Sequence, residues 1–179
     1  MRNIAMGMGR FNPPTAGHYE TIQQLVRIGR SEGIPVEVFV VDGEQSGKDV
    51  DKNPLNADQR VRILRQWFPS VRFEIASSAL HALDILYVQN KAPAFLVAGS
   101  DRARKYKSLL GYAGFPQSQI VEADRSDGPA KGVSATLARS AARAGDFEEF
   151  SRLMPSHVDT QILRESYDLV RKANNGDGG

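Results

Sequence analysis

Five short apolar runs, separated by segments with helical periodicity, constrain the fold of this chain most strongly. The runs are 4–8, 36–41, 71–75, 94–98 and a weaker one at 120–123. Between them apolar residues recur with helical spacing, as in Ile22, Leu25, Val26 and Gly29. Strands that alternate with helices, without hairpin signals, indicate parallel pairing and right-handed crossovers. The predicted fold class is therefore α/β, a doubly wound, parallel, five-stranded Rossmann-like sheet.

After the fifth run the chain becomes helical, and these segments predict C-terminal helices over 134–144, 147–154 and about 158–172. The length of 179 residues fits one domain. We expect a core over 3–145, C-terminal helices over 146–173 and a disordered, glycine-rich tail over 174–179. Gly111 is the predicted end of the fourth helix.

Composition excludes several classes of function. Cysteine is absent, which excludes a disulfide scaffold, a thiolate nucleophile and a cysteine zinc site. No apolar stretch is long enough to cross a membrane, and the amino terminus lacks a signal-peptide pattern, so we expect a cytoplasmic protein without a membrane partner. The chain has 23 Lys and Arg against 21 Asp and Glu. This excess of positive charge is too small to indicate a nucleic-acid partner. No His, Asp and Glu cluster has metal-ligand spacing.

The first strand leads into Gly9-Arg10-Phe11-Asn12-Pro13-Pro14-Thr15-Ala16-Gly17-His18, where a helix begins. Glycines permit a close backbone approach, and the amides of a first helical turn attract anions. Thr15 and His18 are three apart and can both project from that turn, while Arg10 adds a permanent charge. The segment predicts a phosphate site. The alternative is a capping Thr15 and a surface His18.

A second segment, Val133-Ser134-Ala135-Thr136-Leu137-Ala138-Arg139, opens a later helix. Ser134 is a natural N-cap, and Thr136 and Arg139 share one helical face. Two hydroxyls and an arginine at a helix start predict a second anion site, with a plain capped helix as the alternative.

Two further segments follow strands. Gly99 and Asp101 follow the end of the fourth strand. We expect Asp101 to cap the helix that begins there, to line a ligand site, or to do both. The basic residues after it favour a solvated face, with a contribution to the field around a polyphosphate as the alternative; they are Arg102, Arg104, Lys105 and Lys107. Lys48 and Lys52 lie in the 42–55 loop and are weaker candidates for phosphate contacts.

Together these segments resemble the nucleotidyltransferase superfamily. Thr15-Ala16-Gly17-His18 matches the threonine form of its first signature, and 133–139 is similar to the second, Ile-Ser-Ser/Gly-Thr-x-x-Arg. Gly9-Arg10-Phe11 followed by Pro13 resembles the opening of nicotinamide-mononucleotide adenylyltransferases. The resemblance covers about 3–145. Thr15 replaces a histidine found in many members, and Val133 and Ala135 are mild departures.

The resemblance implies a nucleoside triphosphate with Mg²⁺, in-line attack of an acceptor phosphate on the α-phosphorus, and release of pyrophosphate. It implies that Thr15 and His18 hold the α- and β-phosphates, that Ser134 and Thr136 hold the β- and γ-phosphates, and that Arg139 with Arg10 neutralises the leaving group. Asn12 would touch a phosphate or the acceptor. Arg60 is similar to an arginine often found in the second helix, although a structural ion pair explains it equally well. The remaining nucleotide-binding candidates are Gly9, Phe11, Gly17, Gly99 and Asp101.

The resemblance leaves the substrates open. Arg139 and the Gly9-Arg10-Phe11 opening favour ATP over CTP. The first candidate acceptor is nicotinamide mononucleotide, and pantetheine phosphate, sugar phosphates and alcohol phosphates stay open, as does a homo-oligomer. Three rival classes are a non-catalytic nucleotide sensor, an aminoacyl-tRNA synthetase fragment and a dinucleotide-binding domain. The last would use Asp42 at the end of the second strand, but it lacks the third glycine of its fingerprint.

Overall fold

A parallel sheet forms the centre of the molecule, as the sequence predicts. The computed structural model describes residues 1–43, 49–123 and 135–174. Its strands are β1 (Arg2–Gly9), β2 (Val36–Val41), β3 (Arg72–Ala76), β4 (Lys91–Ala98) and β5 (Gln119–Glu122). They are all parallel, in the order β3-β2-β1-β4-β5. The α/β, doubly wound fold class is confirmed.

Seven helices complete the described part of the chain. They are α1 (Ala16–Glu32), α2 (Ala57–Trp67), α3 (Ala79–Val88), α4 (Ser100–Tyr112), α5 (Ala135–Arg143), α6 (Phe147–Arg152) and α7 (Thr160–Asn174). None of them is long and apolar enough to cross a membrane.

The sheet buries a different apolar cluster on each face, because successive side chains of a strand point to opposite sides. Ala5 of β1 packs with Ile22 of α1 and Leu64 of α2. Met6, the next residue, packs on the other face with α3 and α4, which contribute Leu86 and Leu110 among others. The helices therefore cover both faces.

The C-terminal helices α5, α6 and α7 build a third cluster around the fully buried Phe150. Leu55 and Ile63 join this cluster from the segment that follows β2. The last helices are thus packed against α2 and the loop before it.

Several boundaries differ from the predictions, the end of α4 and the start of β4 among them. Gly111 does not end α4, which continues to Tyr112; Gly114 takes the left-handed backbone (φ 95°) instead. Strand β4 begins at Lys91, three residues before the predicted run. Lys91 is tolerated there because its Nζ lies 2.9 Å from the buried Glu37 carboxylate.

The strand order reverses between β1 and β4, which are neighbours in the sheet. Helix α1 leaves the end of β1 over one face, and α4 leaves the end of β4 over the other. Ligands of open α/β sheets bind in the crevice that such a divergence creates at the carboxyl edge. The predicted site residues follow these two strands.

Candidate functional site

The loop between β1 and α1 is shaped around the ring of Phe11. Phe11 has a left-handed backbone (φ 53°) and is 5% exposed. Its ring packs edge-on against the His18 imidazole, with centroids 4.9 Å apart. A Cβ at Gly9 would lie 3.2 Å from this ring, so a larger residue would push on it. Gly9 thus leaves room for the Phe11 ring, which packs against His18.

His18 has its tautomer set by the backbone. The Thr15 backbone N–H donates to Nδ1 of His18 over 3.0 Å, and the Thr15 hydroxyl oxygen lies 3.2 Å from the same nitrogen. Because an amide can only donate, Nδ1 is an acceptor and the neutral ring carries its proton on Nε2. His18 is half-buried, so this arrangement makes Nε2–H a fixed donor at the start of α1.

The first turn of α1 offers fewer amides than the sequence suggests. The Thr15 amide is bonded to His18, and the Ala16 amide donates to the Leu153 carbonyl over 3.0 Å. Thr15 itself is 1% exposed, and Gly17 is buried. The geometry therefore directs Thr15 toward His18 rather than toward solvent.

Arg139 joins the two predicted motifs. Its Nη1 donates to the Asn12 carbonyl over 2.9 Å, and its Nη2 donates to the Thr136 hydroxyl over 3.1 Å. Asn12 and Arg139 are 127 residues apart in the chain. The start of α5 is therefore held against the β1–α1 loop. Ser134, the predicted cap of α5, and Lys48 lie outside the described residues.

Positive charges converge at this contact. Burial lowers the pKa of the Arg139 guanidinium, and the charges of Arg143 and Arg10 lower it further, against the opposing effect of Asp49. Arginine keeps its charge even so. Like charges held close together cost free energy unless an anion shares the space, so the cluster is suited to a polyphosphate.

Asn12 is committed to the protein itself. It is 2% exposed, its Nδ2 donates to the Leu55 carbonyl over 3.0 Å, and its Oδ1 accepts from the Leu55 amide over 2.9 Å. The predicted contact of this side chain with phosphate or acceptor has no support in this geometry. Asn12 instead ties the β1–α1 loop to the segment before α2.

Arg60 positions the ends of two strands, a role that the sequence alone left undecided. It is fully buried. Its Nη1 donates to the Arg10 carbonyl over 2.8 Å and to the Val41 carbonyl over 3.0 Å, and its Nη2 lies 2.5 Å from the Asp42 carboxylate. Burial lowers its pKa, while Asp42 opposes that shift. Arg60 thus joins the ends of β1 and β2.

A periodicity argument points to Arg60 directly. It shares the spacing i, i+3, i+4 with Ile63 and Leu64 of α2, which places it on the buried face of that helix. An arginine there needs several acceptors. The ion pair with Arg60 engages the Asp42 carboxylate, which a dinucleotide-binding domain would need for binding ribose.

The remaining candidates lie around the crevice. Gly99 is the N-cap of α4, and an added Cβ would lie 2.8 Å from Oδ1 of the exposed Asp101. Thr136, Lys52 and Arg10 are exposed. His81, predicted to be structural or exposed, is exposed and accepts at Nδ1 from the Ser77 amide, and His157 lies 2.5 Å from the Tyr19 hydroxyl.

No group of three or more His, Asp or Glu side chains within 1–43, 49–123 and 135–174 is placed to hold a metal ion. The cations gathered at the crevice are arginines, among them Arg10 and Arg139. This donor set suits the phosphates of a nucleotide, and it suits a metal only as a companion of those phosphates.

Comparison with known proteins identifies the family of the chain. The pattern of the cytidylyltransferase-like family matches residues 6–141, which include the end of β1, His18 and Arg139. The chain belongs to the cytidylyltransferase-like family. It is therefore a nucleotidyltransferase, and the predicted superfamily is confirmed.

Solved structures share the fold of this cytidylyltransferase-like chain at low identity. A protein described as a nicotinate-nucleotide adenylyltransferase from Vibrio parahaemolyticus is 16% identical, with a TM-score of 0.62, over 96% of this chain and 97% of that one. The Plasmodium falciparum nicotinic acid mononucleotide adenylyltransferase is 13% identical (TM-score 0.61), over 100% and 99%. A bifunctional NMN adenylyltransferase/ADP ribose pyrophosphatase from Francisella tularensis is 17% identical (TM-score 0.62), over 98% of this chain and 54% of its own. No curated protein matches the sequence.

Proposed function

We propose that this chain transfers AMP from ATP to a small phosphorylated acceptor, with nicotinamide mononucleotide as the first candidate, and releases pyrophosphate. The observation that carries the proposal is the hydrogen bond from Arg139 to the Asn12 carbonyl. It brings the second anion-binding segment onto the loop that holds His18. A single polyphosphate can then reach both.

In the proposed reaction an oxygen of the acceptor phosphate attacks the α-phosphorus in line. The bond from the α-phosphorus to its bridging oxygen breaks, and pyrophosphate leaves with that electron pair. His18 donates its Nε2 proton as a hydrogen bond to a phosphate oxygen on which charge develops. Such a preorganised donor stabilises the transition state more than the ground state. No protein nucleophile takes part.

Other residues have supporting roles in this proposal. Thr15, buried beside His18, is a positioning residue for the imidazole. Arg139 and Arg10 neutralise the pyrophosphate as it departs, with Ser134 and Thr136 as donors to the β- and γ-phosphates. Gly99 and Asp101 line the crevice on the β4 side, where ribose or base is expected.

Mg²⁺ fits this site as a companion of the triphosphate. When bound, it would neutralise negative charge on the phosphate oxygens and favour departure of pyrophosphate. The described side chains provide no carboxylate cluster for it, so we expect phosphate and water oxygens to supply its ligands. Arg10 and Arg139 would provide further positive charge to the phosphate oxygens.

The family description supports CTP as the second candidate donor. A pyrophosphate-release assay separates the candidate substrates. It tests ATP, CTP, GTP and UTP, each with Mg²⁺. Each triphosphate is paired in turn with nicotinamide mononucleotide, pantetheine phosphate, a sugar phosphate and an alcohol phosphate. The proposal predicts release with ATP and nicotinamide mononucleotide, and a strong loss in His18→Ala. Release confined to CTP with an alcohol or sugar phosphate would identify a cytidylyltransferase. Nucleotide binding without release from any pair would identify a sensor.

A further inference from the structure

Helix α4 carries the net positive charge of the whole chain. It has four basic residues and one acidic residue, and outside it the chain has 19 basic and 20 acidic residues. The total of +2 therefore hides a local concentration. The four bases are Arg102, Arg104, Lys105 and Lys107.

These four charges lie close together near the start of a helix. All lie within the first eight residues of α4, and Arg102 lies in the first turn, next to the positive end of the helix dipole. Arg104 and Lys107 are three apart, as are Arg102 and Lys105, so like charges are neighbours on the helix surface. All four are exposed, and within the described part of the chain none forms an ion pair. These like charges therefore repel one another without compensating ion pairs in the described part of the chain.

One face of α4 adds polar and aromatic groups to the charges. An open depression of about 590 Å³ is lined by Asp101, Arg104, Lys105, Ser108, Leu109 and Tyr112, which we call the α4 surface. Tyr112, at the far end of this surface, is 81% exposed. Arg104 and Tyr112 are eight residues apart, which is about 12 Å along the helix.

We propose that the α4 surface binds a single-stranded nucleic acid. Arg104 and Lys105 contact phosphate oxygens, and Tyr112 is a platform on which a base stacks. Lys and Arg are common phosphate partners, and an exposed aromatic ring beside a cationic track is typical of single-strand binding. The exposed ring favours this occupant over an acidic peptide, because every base of a nucleic acid offers an aromatic face for stacking. The total charge alone did not predict this surface.

The test is fluorescence anisotropy with a fluorescein-labelled 12-nucleotide oligouridylate at two salt concentrations. We expect Arg104→Gln/Lys105→Gln to weaken binding at least about tenfold and to lower the slope of log K against log salt by about 1–2. Tyr112→Ala should weaken binding by about tenfold through lost stacking. Arg27→Gln/Arg30→Gln is the matched control, because it removes two exposed charges from α1 on the opposite face. It should change affinity less than twofold.

Three results would overturn the proposal. They are no anisotropy change at low salt, equal weakening by both double variants, and displacement of the oligouridylate by polyglutamate with no effect of Tyr112→Ala. The last result would assign the surface to an acidic protein. Circular dichroism checks the folding of each variant, and the single variant Lys105→Gln replaces the double variant if that one fails to fold. Pyrophosphate release with a small acceptor should be unchanged in Arg104→Gln/Lys105→Gln, which separates this proposal from the proposed function.

Discussion

Nε2 of His18 is the atom on which the proposed chemistry depends most. Since a backbone amide occupies Nδ1, Nε2–H can donate without prior rotation of the ring. Replacement of His18 by alanine should lower kcat by at least about 10², as measured by pyrophosphate release.

His81→Ala is a matched control for His18→Ala. The His81 ring also accepts at Nδ1 from a backbone amide near the start of a helix, but that helix is α3. We expect wild-type turnover within about twofold. A similar loss in both variants, or none in His18→Ala, would remove His18 from the mechanism.

Arg139 has two roles in the proposed mechanism, because it binds the triphosphate and also ties α5 to the β1–α1 loop. Removing its charge-assisted donors should raise the KM for the triphosphate about tenfold or more, since bonds to charged groups contribute about 1.5–3 kcal/mol each. The variant is Arg139→Ala, assayed by initial rates and by thermal unfolding.

Arg152→Ala provides the comparison for Arg139→Ala, because Arg152 is an exposed arginine paired with Glu149 on α6. Both variants should unfold within a few degrees of the wild type. Loss of folding in Arg139→Ala alone would mean that its bond to Asn12 is purely structural.

At the scale of elements, Arg60 couples α2 to the ends of β1 and β2. Arg60→Met should destabilise the protein by about 2–3 kcal/mol, because it strands the Asp42 carboxylate and two carbonyls. This value is below that of a fully buried pair, since the Asp42 side chain is one-third exposed. Urea unfolding measures the stability.

The double variant Arg60→Met/Asp42→Asn tests the origin of that cost. It should recover part of the stability, because the unpaired carboxylate is gone. It should not recover turnover, since the Arg10 carbonyl is still unsupported. Recovery of both would limit Arg60 to an ion-pair partner.

The segment between α6 and α7 contacts α1, the helix that carries His18. Leu153 accepts from the Ala16 amide, and His157 contacts the Tyr19 hydroxyl. Tyr19→Phe should cost about 1 kcal/mol in urea unfolding, whereas Tyr112→Phe, which alters an exposed ring, should cost almost nothing. Equal effects would show that the His157 contact does not stabilise the native state.

Elements with strong periodicity were predictable, and those shaped by buried polar contacts were not. The spacing of Ile22 and Leu25 predicted α1, and the apolar runs predicted all five strands. The early start of β4 depends on the Lys91–Glu37 pair, which links residues 54 apart. No local pattern reports such a contact.

The same distinction holds for the site. The identities of His18, Arg139 and Arg10 were readable because their motifs are local. The commitment of Asn12 to Leu55, and of the Ala16 amide to Leu153, was not, since each partner lies on a distant segment. Sequence thus identified the candidate groups, and the fold determines which of them face the crevice.

At the scale of the whole molecule, two charge clusters lie at separate places on one parallel sheet. The Arg10 and Arg139 cluster lies at the carboxyl edge where the strand order reverses, and α4 carries the other cluster along one face. We propose a nucleoside triphosphate as the ligand of the first cluster and a single-stranded nucleic acid as the ligand of the second. A molecule with a net charge of +2 can serve both, because each field is local at physiological salt.

The fate of the phosphates tests the central claim most directly. Wild-type protein is incubated with Mg²⁺, nicotinamide mononucleotide and ATP that is radiolabelled at either the α- or the γ-phosphate. We predict that the α-label appears in a dinucleotide product and the γ-label in pyrophosphate, in equal amounts. Transfer of the γ-label to the acceptor, or its release as inorganic phosphate, would contradict the proposed attack at the α-phosphorus.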